Sequence, residues 1–231
     1  MKIGKIIGGW LPLTFAVVVL MTRPAAATSV FINEIHYDNA GTDSGEFVEI
    51  AGPAGSLVGW SLVLYNGGSG LSYKTVDLSG DQIGYFQEID SLFYGTFAKD
   101  ISGIQNGAPD GLALIDADSK VVQFLSYEGS FTATNGLAAG LISTDIGVAE
   151  DGVAAGYSLQ LTGTGLAYED FTWSGPLPGT PSAFNTGQIF AGPAPAPVGA
   201  APTPLPGTML LLGSGLAGLA AARKKPPKAA G

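Results

Sequence analysis

Apolar residues in the middle of this chain occur only in short runs, because glycine, asparagine, aspartate and serine interrupt them throughout. The 231 residues include 35 glycines and 15 prolines. An amphipathic helix needs at least about 10 residues of one periodic pattern, whereas a strand needs only about 4–8. One or two helical turns near residues 82–93 are the only helix that the pattern allows between residues 28 and 190. This segment is therefore predicted to be an all-β domain.

Eight runs carry the strand pattern. In one of them Tyr157, Leu159 and Leu161 alternate with polar neighbours, as expected for a strand with one buried face. Residues 116–119 have the composition of a hairpin turn between two of the runs. The predicted strands are residues 30–37, 46–51, 60–65, 74–78, 112–116, 120–127, 157–161 and 171–173. This number of short antiparallel strands predicts a β-sandwich.

Charge is distributed unevenly along the chain. Residues 28–204 contain three lysines and all 19 acidic residues, a formal charge of 3 − 19 = −16. Such a surface disfavours nucleic acid, which is bound largely through lysine and arginine, and is compatible with cations, cationic partners or solubility outside the cell. The chain has no cysteine, so packing alone must hold the core together.

The first 27 residues have the layout of a secretory signal peptide. Lys2 and Lys5 form a basic start, residues 6–20 an apolar stretch, and three alanines end at Ala27. Arg23 and Pro24 follow the apolar stretch, which favours a removed signal over a retained anchor. We therefore predict a signal peptide at residues 1–27, cleaved after Ala27.

A second apolar run, residues 208–222, lies near the other end of the chain. As a helix it would span roughly 22 Å, short of the roughly 30 Å hydrocarbon core, but untilted insertion with snorkelling of the flanking cations accommodates the difference. The alternative is a frayed end away from lipid, although its leucines would then lack a polar face. We predict a single transmembrane helix, preceded by a linker at residues 191–204 that contains five prolines.

The order of these features resembles a PEP-CTERM sorting signal over residues 205–231. Leu205 stands where that family usually has glutamate, so this is a Pro-Leu-Pro variant. The resemblance implies recognition by an exosortase-type enzyme and the export machinery of a Gram-negative-type bacterium. It also implies at least transient membrane contact and placement in the envelope, outer surface or extracellular matrix. The residues that carry the signal are Pro204, Leu205, Pro206, Arg223, Lys224 and Lys225.

Residues 28–190 resemble the lamin-tail domain. The likeness rests on an Asn-Glu run at residues 31–38, a Glu-Phe-Val-Glu-Ile run at 46–50 and the pair Gly59 and Trp60. It implies an immunoglobulin-like antiparallel β-sandwich with Phe47 and Trp60 in its core. Some exported bacterial relatives are joined to a nuclease or phosphatase domain, for which we expect no room here.

Few side chains offer catalytic chemistry. His36 is the single histidine, which excludes a Cys/His pair and a multi-histidine zinc site. It is either a general base beside Glu34 or a structural histidine at a strand end. Metal-assisted phosphoester cleavage needs converging ligands and a basic residue for phosphate. The sequence therefore favours a non-catalytic module that binds protein or polysaccharide, and a metal-assisted hydrolase is the alternative.

The loop at residues 38–46 is the strongest candidate metal site. Asp38, Asp43 and Glu46 could supply oxygen ligands to calcium, although turn chemistry explains the same residues. The acidic pairs at residues 150–151 and 169–170 are interpreted as solvated loop charges. Six tyrosines are available either to stack on sugars or to fill the core: Tyr65, Tyr73, Tyr85, Tyr94, Tyr127 and Tyr168.

Overall fold

The computed structural model describes residues 29–192, and residues 29–190 belong to a compact unit that ends at Phe190. The predicted signal peptide, most of the linker and the whole sorting tail lie outside the described residues. The described part is all-β with antiparallel sheets, which confirms the predicted all-β class. Within it, no helix is long and apolar enough to cross a membrane.

Fourteen strands occur within residues 29–192. A single 3-10 turn, Tyr168–Asp170, is the one helical element described there. In chain order the strands are β1 (Phe31–His36), β2 (Phe47–Pro53), β3 (Gly55–Ser56), β4 (Ser61–Asn66), β5 (Leu71–Asp77), β6 (Gln82–Ile83), β7 (Gln87–Ile89), β8 (Leu92–Asp100), β9 (Asp110–Ile115), β10 (Val121–Tyr127), β11 (Thr144–Asp145), β12 (Tyr157–Gly165), β13 (Phe171–Pro178) and β14 (Gln188–Phe190).

Two main sheets contain most of these strands. Sheet 1 has the order β13-β12-β1-β2-β8-β7, and β14 pairs in parallel with the end of β12. Sheet 2 has the order β11-β10-β9-β4-β5, while β3 and β6 form a separate short ladder. Neighbouring strands of sheet 1 along this order run antiparallel, so hairpins and longer loops connect them at both ends.

All eight predicted strands are present, with ends shifted by a few residues. The predicted turn at residues 116–119 joins β9 to β10, and the Asp116 carboxylate accepts hydrogen bonds from the amides of Asp118 and Lys120. The helical turns expected near residues 82–93 are wrong, because that segment forms β6, β7 and the start of β8.

The long strand β8 was not predicted, because Gly95 interrupts its apolar pattern. In the structure Gly95 lies against the neighbouring segment so closely that a Cβ there would come within 2.1 Å of the Gly84 carbonyl oxygen. Gly95 therefore allows the close approach of two backbones inside a sheet instead of ending a strand.

One hydrophobic core joins the two main sheets. Its central members come from alternate positions of β1 and β2 in sheet 1 and of β4 and β9 in sheet 2: Ile35, Val48, Ile50, Leu62, Leu64, Leu112 and Leu114. Trp60 packs against this core, as expected. Phe47 is buried as well, but it lies outside the cluster that joins the two sheets, with its ring 6.0 Å from the His36 ring between centroids.

The opposite face of sheet 1 is also buried. Residues 179–190, which we call the strap, follow β13 and lie over this face. The aromatic half of the face contains Phe31, whose ring packs with Phe171 and Phe190. The other half is polar and carries the candidate site. Because both faces are covered, every residue of β1 is buried.

Candidate functional site

Two carboxylates, Glu34 on β1 and Glu49 on β2, lie opposite each other on the covered face of sheet 1. Both residues have no exposed surface. The Glu34 carboxylate accepts hydrogen bonds from the Thr180 amide at 2.8 Å, the Thr180 hydroxyl at 3.0 Å and Gln160 Nε2 at 3.1 Å. The Ser158 hydroxyl donates to it as well. Burial nevertheless raises the pKa of Glu34 above its ordinary value.

Glu49 accepts a hydrogen bond from Asn33 Nδ2 at 2.9 Å and another from the Ser182 amide at 2.5 Å. Burial raises the pKa of Glu49 to about 8, and the charge of Glu34 adds to this effect, whereas the hydrogen bond from Asn33 opposes it. No lysine or histidine forms an ion pair with Glu34 or Glu49 among the described residues. Donors from the strap, β1 and β12 therefore surround the two carboxyl groups, and no basic side chain among the described residues does so.

A second buried pair lies at the end of β1. The Nδ1 atom of His36 is 2.9 Å from a carboxylate oxygen of Glu150. The other Glu150 oxygen accepts hydrogen bonds from the amides of Tyr37 at 2.6 Å and Asp38 at 2.9 Å. The hydrogen bond with Glu150 raises the pKa of His36, while burial lowers it. The sequence interpretation of Glu150 as a solvated loop charge is therefore wrong, since Glu150 has no exposed surface.

His36 is bonded through both ring nitrogens. Its Nε2 atom lies 3.3 Å from the Ser44 carbonyl oxygen and 3.0 Å from Asn39 Nδ2. Its carboxylate partner is Glu150, whereas the Glu34 carboxylate bonds to β12 and the strap. This arrangement matches the structural interpretation of the histidine, because both ring nitrogens have partners within the protein.

His36 is one of the residues that line an open pocket of about 460 Å³. Its walls combine the aromatic rings of Phe47 and Tyr157 with the Asp100 side chain and the start of the strap at Gly179. Neither Glu34 nor Glu49 lines this pocket, and both nitrogens of its one histidine have partners within the protein.

The three proposed calcium ligands are not brought to one point. Asn106 Nδ2 lies 3.1 Å from Asp38 Oδ1 and 3.3 Å from Asp43 Oδ2. The Glu46 carboxylate instead accepts hydrogen bonds from the amides of Gly103 and Ile104 at 2.7 and 2.8 Å. Between residues 29 and 192 no three Asp, Glu, His or Cys side chains are arranged to hold a metal ion. Calcium binding stays a prediction, which melting curves with about 1 mM calcium would test.

The tyrosines divide between core and surface. Tyr65, Tyr94 and Tyr127 are buried, and Tyr127 stacks on Tyr37 with ring centroids 3.8 Å apart. Tyr73 and Tyr168 are partly buried and pack against the core. Of the six tyrosines singled out in the sequence, Tyr85 alone is strongly exposed. Five of them therefore serve packing.

Sequence patterns did not reveal the residues of the strap that complete the polar face. Asn185 Nδ2 donates to the carbonyl oxygens of Asn33 and Leu161, each at 3.0 Å, and Gln188 Nε2 donates to Asn33 Oδ1 at 2.6 Å. The two contacts with Asn33 join positions that are more than 100 residues apart in the sequence. The polar residues within β1 and β2 were the one sequence signal that could have revealed this buried polar face.

Comparison with known proteins identifies a motif in the C-terminal part of the chain. No curated protein and no solved structure matches this chain. The lamin-tail resemblance is not confirmed by a family match and stays a prediction. Residues 202–225 match the PEP-CTERM protein-sorting motif, which covers all six predicted sorting residues. The chain therefore carries a PEP-CTERM sorting motif, which implies exosortase-type recognition and export to the cell surface or extracellular space of a bacterium.

Proposed function

We propose that this protein is an exported, non-catalytic β-domain that an exosortase-type system delivers to the envelope or extracellular matrix of a Gram-negative-type bacterium, where it binds protein or polysaccharide. The PEP-CTERM motif at residues 202–225 is the observation that carries the proposal. The predicted signal peptide at residues 1–27 supports the same route from the other end of the chain.

The bonding of the polar side chains supports a non-catalytic role. His36 is held by Glu150 and Ser44, and the carboxylates of Glu34 and Glu49 accept hydrogen bonds from the strap. Internal hydrogen bonds of this kind are what a structural role requires. The three lysines of this segment also lie apart in the sequence, at residues 74, 99 and 120.

The architecture supports, within the same proposal, an immunoglobulin-like sandwich related to the lamin-tail domain. Two antiparallel sheets share one core, and the Asn-Glu and Glu-Phe-Val-Glu-Ile runs that carry the resemblance are the neighbouring strands β1 and β2. Domains of this kind bind partners through loops and edges on a rigid scaffold.

Sorting is tested by changing the motif in the full chain. A variant with Arg223, Lys224 and Lys225 replaced by alanine should be found in a different cell fraction from the wild type. The reason is that this variant lacks the basic cluster that completes the sorting motif. A matched variant with Lys228→Ala, just outside residues 202–225, should sort normally. Cell fractionation and the intact mass of the mature protein are the measurements. Unchanged fraction and mass in the triple variant would contradict the sorting proposal.

The non-catalytic role is tested with the purified full chain. We expect no phosphodiesterase or nuclease turnover above a buffer blank, with or without added divalent metal. Turnover that a chelator abolishes would instead support a metal-assisted hydrolase.

A further inference from the structure

The hairpin β7–β8 leaves one edge of sheet 1 open. Among the described strands, β7 pairs with β8 alone. Asp90 and Ser91 form its two-residue turn with φ angles of 50° and 68°, as in a type I′ turn. Such a turn makes its flanking residues a hydrogen-bonded pair, so the next residue, Glu88, directs its amide and carbonyl away from β8. The edge therefore presents main-chain groups to solvent.

Large apolar side chains surround this edge. Tyr85, Phe86, Leu92 and Phe93, which we call the edge patch, are 68%, 49%, 54% and 45% exposed. Tyr85 packs edge-on against Phe93, with ring centroids 5.7 Å apart. Proteins normally protect edge strands with charges or a cover, and contiguous exposed apolar residues mark interaction sites. The edge patch therefore adds exposed apolar surface beside the charges of Glu88 and Asp90.

A pocket of about 400 Å³ lies beside β7 on the side of the strap. Its walls are the rings of Phe86 and Phe184, which meet edge-on at 5.6 Å, together with Gln87, Ser182 and Ala183. Alternate side chains of a strand point to the same face. A strand added to β7 would therefore direct alternate side chains towards this pocket, as in recognition by β-strand addition.

Charge decides between the candidate occupants. Glu88 lies in the middle of β7 and Asp90 in its turn, and both are exposed. A second copy of this chain would bring Glu88 near its own equivalent across an antiparallel pair, which like charges disfavour. A cationic segment would meet the opposite charge. A glycan could cover the aromatic rings, but it lacks the alternating amides and carbonyls that an open strand edge pairs with.

We propose that β7 and the edge patch bind an extended, cationic peptide segment of a partner protein, which adds to sheet 1 as an antiparallel strand. Its alternate apolar side chains enter the pocket that Phe86, Phe184 and Ala183 line, and its basic residues face Glu88 and Asp90. This inference rests on the proposed binding function and specifies the partner's chemistry and the surface it uses.

The test uses the purified full chain in nonionic detergent and a labelled synthetic peptide, Lys-Val-Thr-Val-Thr-Val-Lys, in fluorescence anisotropy titrations. Glu88→Pro removes the outward amide, and Glu88→Ala removes the same carboxylate but keeps the amide. We expect saturable binding by the wild type, a loss of about threefold in Glu88→Ala, and a further loss of about tenfold in Glu88→Pro. Ala183→Leu, which fills the pocket and leaves β7 unchanged, should also weaken binding about tenfold.

Controls separate binding from folding and from the proposed function. Thermal melting of Glu88→Pro within about 3 °C of Glu88→Ala shows that the hairpin is intact, and Ala183→Leu gives an independent result if it is not. The inference is overturned if the wild type does not bind the peptide, if detergent alone reproduces the signal, or if all three variants bind like the wild type. Saturable binding of dextran in place of the peptide would assign the patch to a glycan and also overturn it. None of these outcomes affects sorting or the absence of turnover, which test the proposed function separately.

Discussion

At the scale of single residues, buried carboxylates hold this protein together by accepting backbone amides. Glu34, Glu46, Glu49, Asp110 and Glu150 each accept at least one amide from a loop remote in sequence or at the end of a strand. All five are buried, and among them Glu150 alone pairs with a basic side chain in the described part. With three lysines available between residues 28 and 204, amide donors are the plentiful partners.

The raised pKa of Glu49 predicts a stability that depends on pH. The folded protein keeps a proton on Glu49 up to about pH 8, whereas the unfolded chain releases it near the ordinary value of 4.5. The free energy of unfolding should therefore fall as the pH rises from about 5 to about 8, because the folded state binds more protons in that range. The raised pKa values of Glu34 and His36 act in the same direction.

Denaturant unfolding of the full chain at a series of pH values measures this slope. Glu49→Gln removes the titrating group, so its slope between pH 5 and pH 8 should be shallower than that of the wild type. An equally steep slope in the variant would mean that Glu49 titrates normally in the folded protein.

Removing the partner of a buried charge should be costly. Glu150→Ala leaves His36 and the amides of Tyr37 and Asp38 without their acceptor, so we expect a loss of about 3 kcal/mol of unfolding free energy. Asp151→Ala changes the adjacent, exposed acid and should shift stability by less than about 0.5 kcal/mol. Equal effects of the two substitutions in urea unfolding would contradict the buried ion pair.

At the scale of elements, the strap is the part that completes the fold. It covers the second face of sheet 1, and its end, β14, pairs with β12 instead of forming a hairpin. The strap is tied to both halves of that face, through Thr180 and Ser182 to the carboxylates and through Phe184 and Phe190 to the aromatic cluster. A sheet covered on both faces needs buried residues at successive positions, which explains the continuous burial of β1.

Asn185 is the strap residue whose loss should matter most. Asn185→Ala would leave the carbonyl oxygens of Asn33 and Leu161 without their donor, and we expect destabilisation of about 2–4 kcal/mol. Thr186→Ala, at the next and exposed position, should be nearly neutral. Hydrogen exchange should show faster exchange of the strap amides in Asn185→Ala. Unchanged stability and exchange would contradict a holding role for Asn185.

At the scale of the whole molecule, the large negative charge is the main electrostatic feature. The formal charge of −16 on residues 28–204 places many like charges on one small domain. Self-repulsion destabilises a compact state, and dissolved salt screens it. In the binding proposed for β7, the same charge would favour a cationic partner and disfavour a second copy of the chain.

Raising sodium chloride from about 20 mM to about 500 mM should therefore raise the melting temperature of the full chain by a few degrees, because the Debye length falls well below the spacing of surface charges. The gain should shrink at pH 4, where exposed carboxylates begin to take up protons. A melting temperature that salt lowers at neutral pH would show that attractive ion pairs outweigh the repulsion.

The sequence alone determined the sorting motif and the all-β class of the fold. The sorting motif is a local order of residue types, so it can be read without a structure, and residues 202–225 confirm it. Eight strands and the turn at residues 116–119 also follow from local patterns of apolar and turn residues. Local patterns did not predict β8. Gly95 allows a close backbone contact with Gly84 there, which the neighbouring residues in the sequence do not indicate.

Only the tertiary structure decided which acids are buried and what they bond. Glu150 and Asp151 are adjacent and chemically alike, yet one pairs with His36, 114 positions away in sequence, and the other is exposed. The strap reaches Glu34 and Glu49 from about 130 or more residues further along the chain. Contacts of this range depend on how the sheets are ordered and covered, which no short segment specifies, and for that reason the polar face and the open edge of β7 emerge only when the chain is folded.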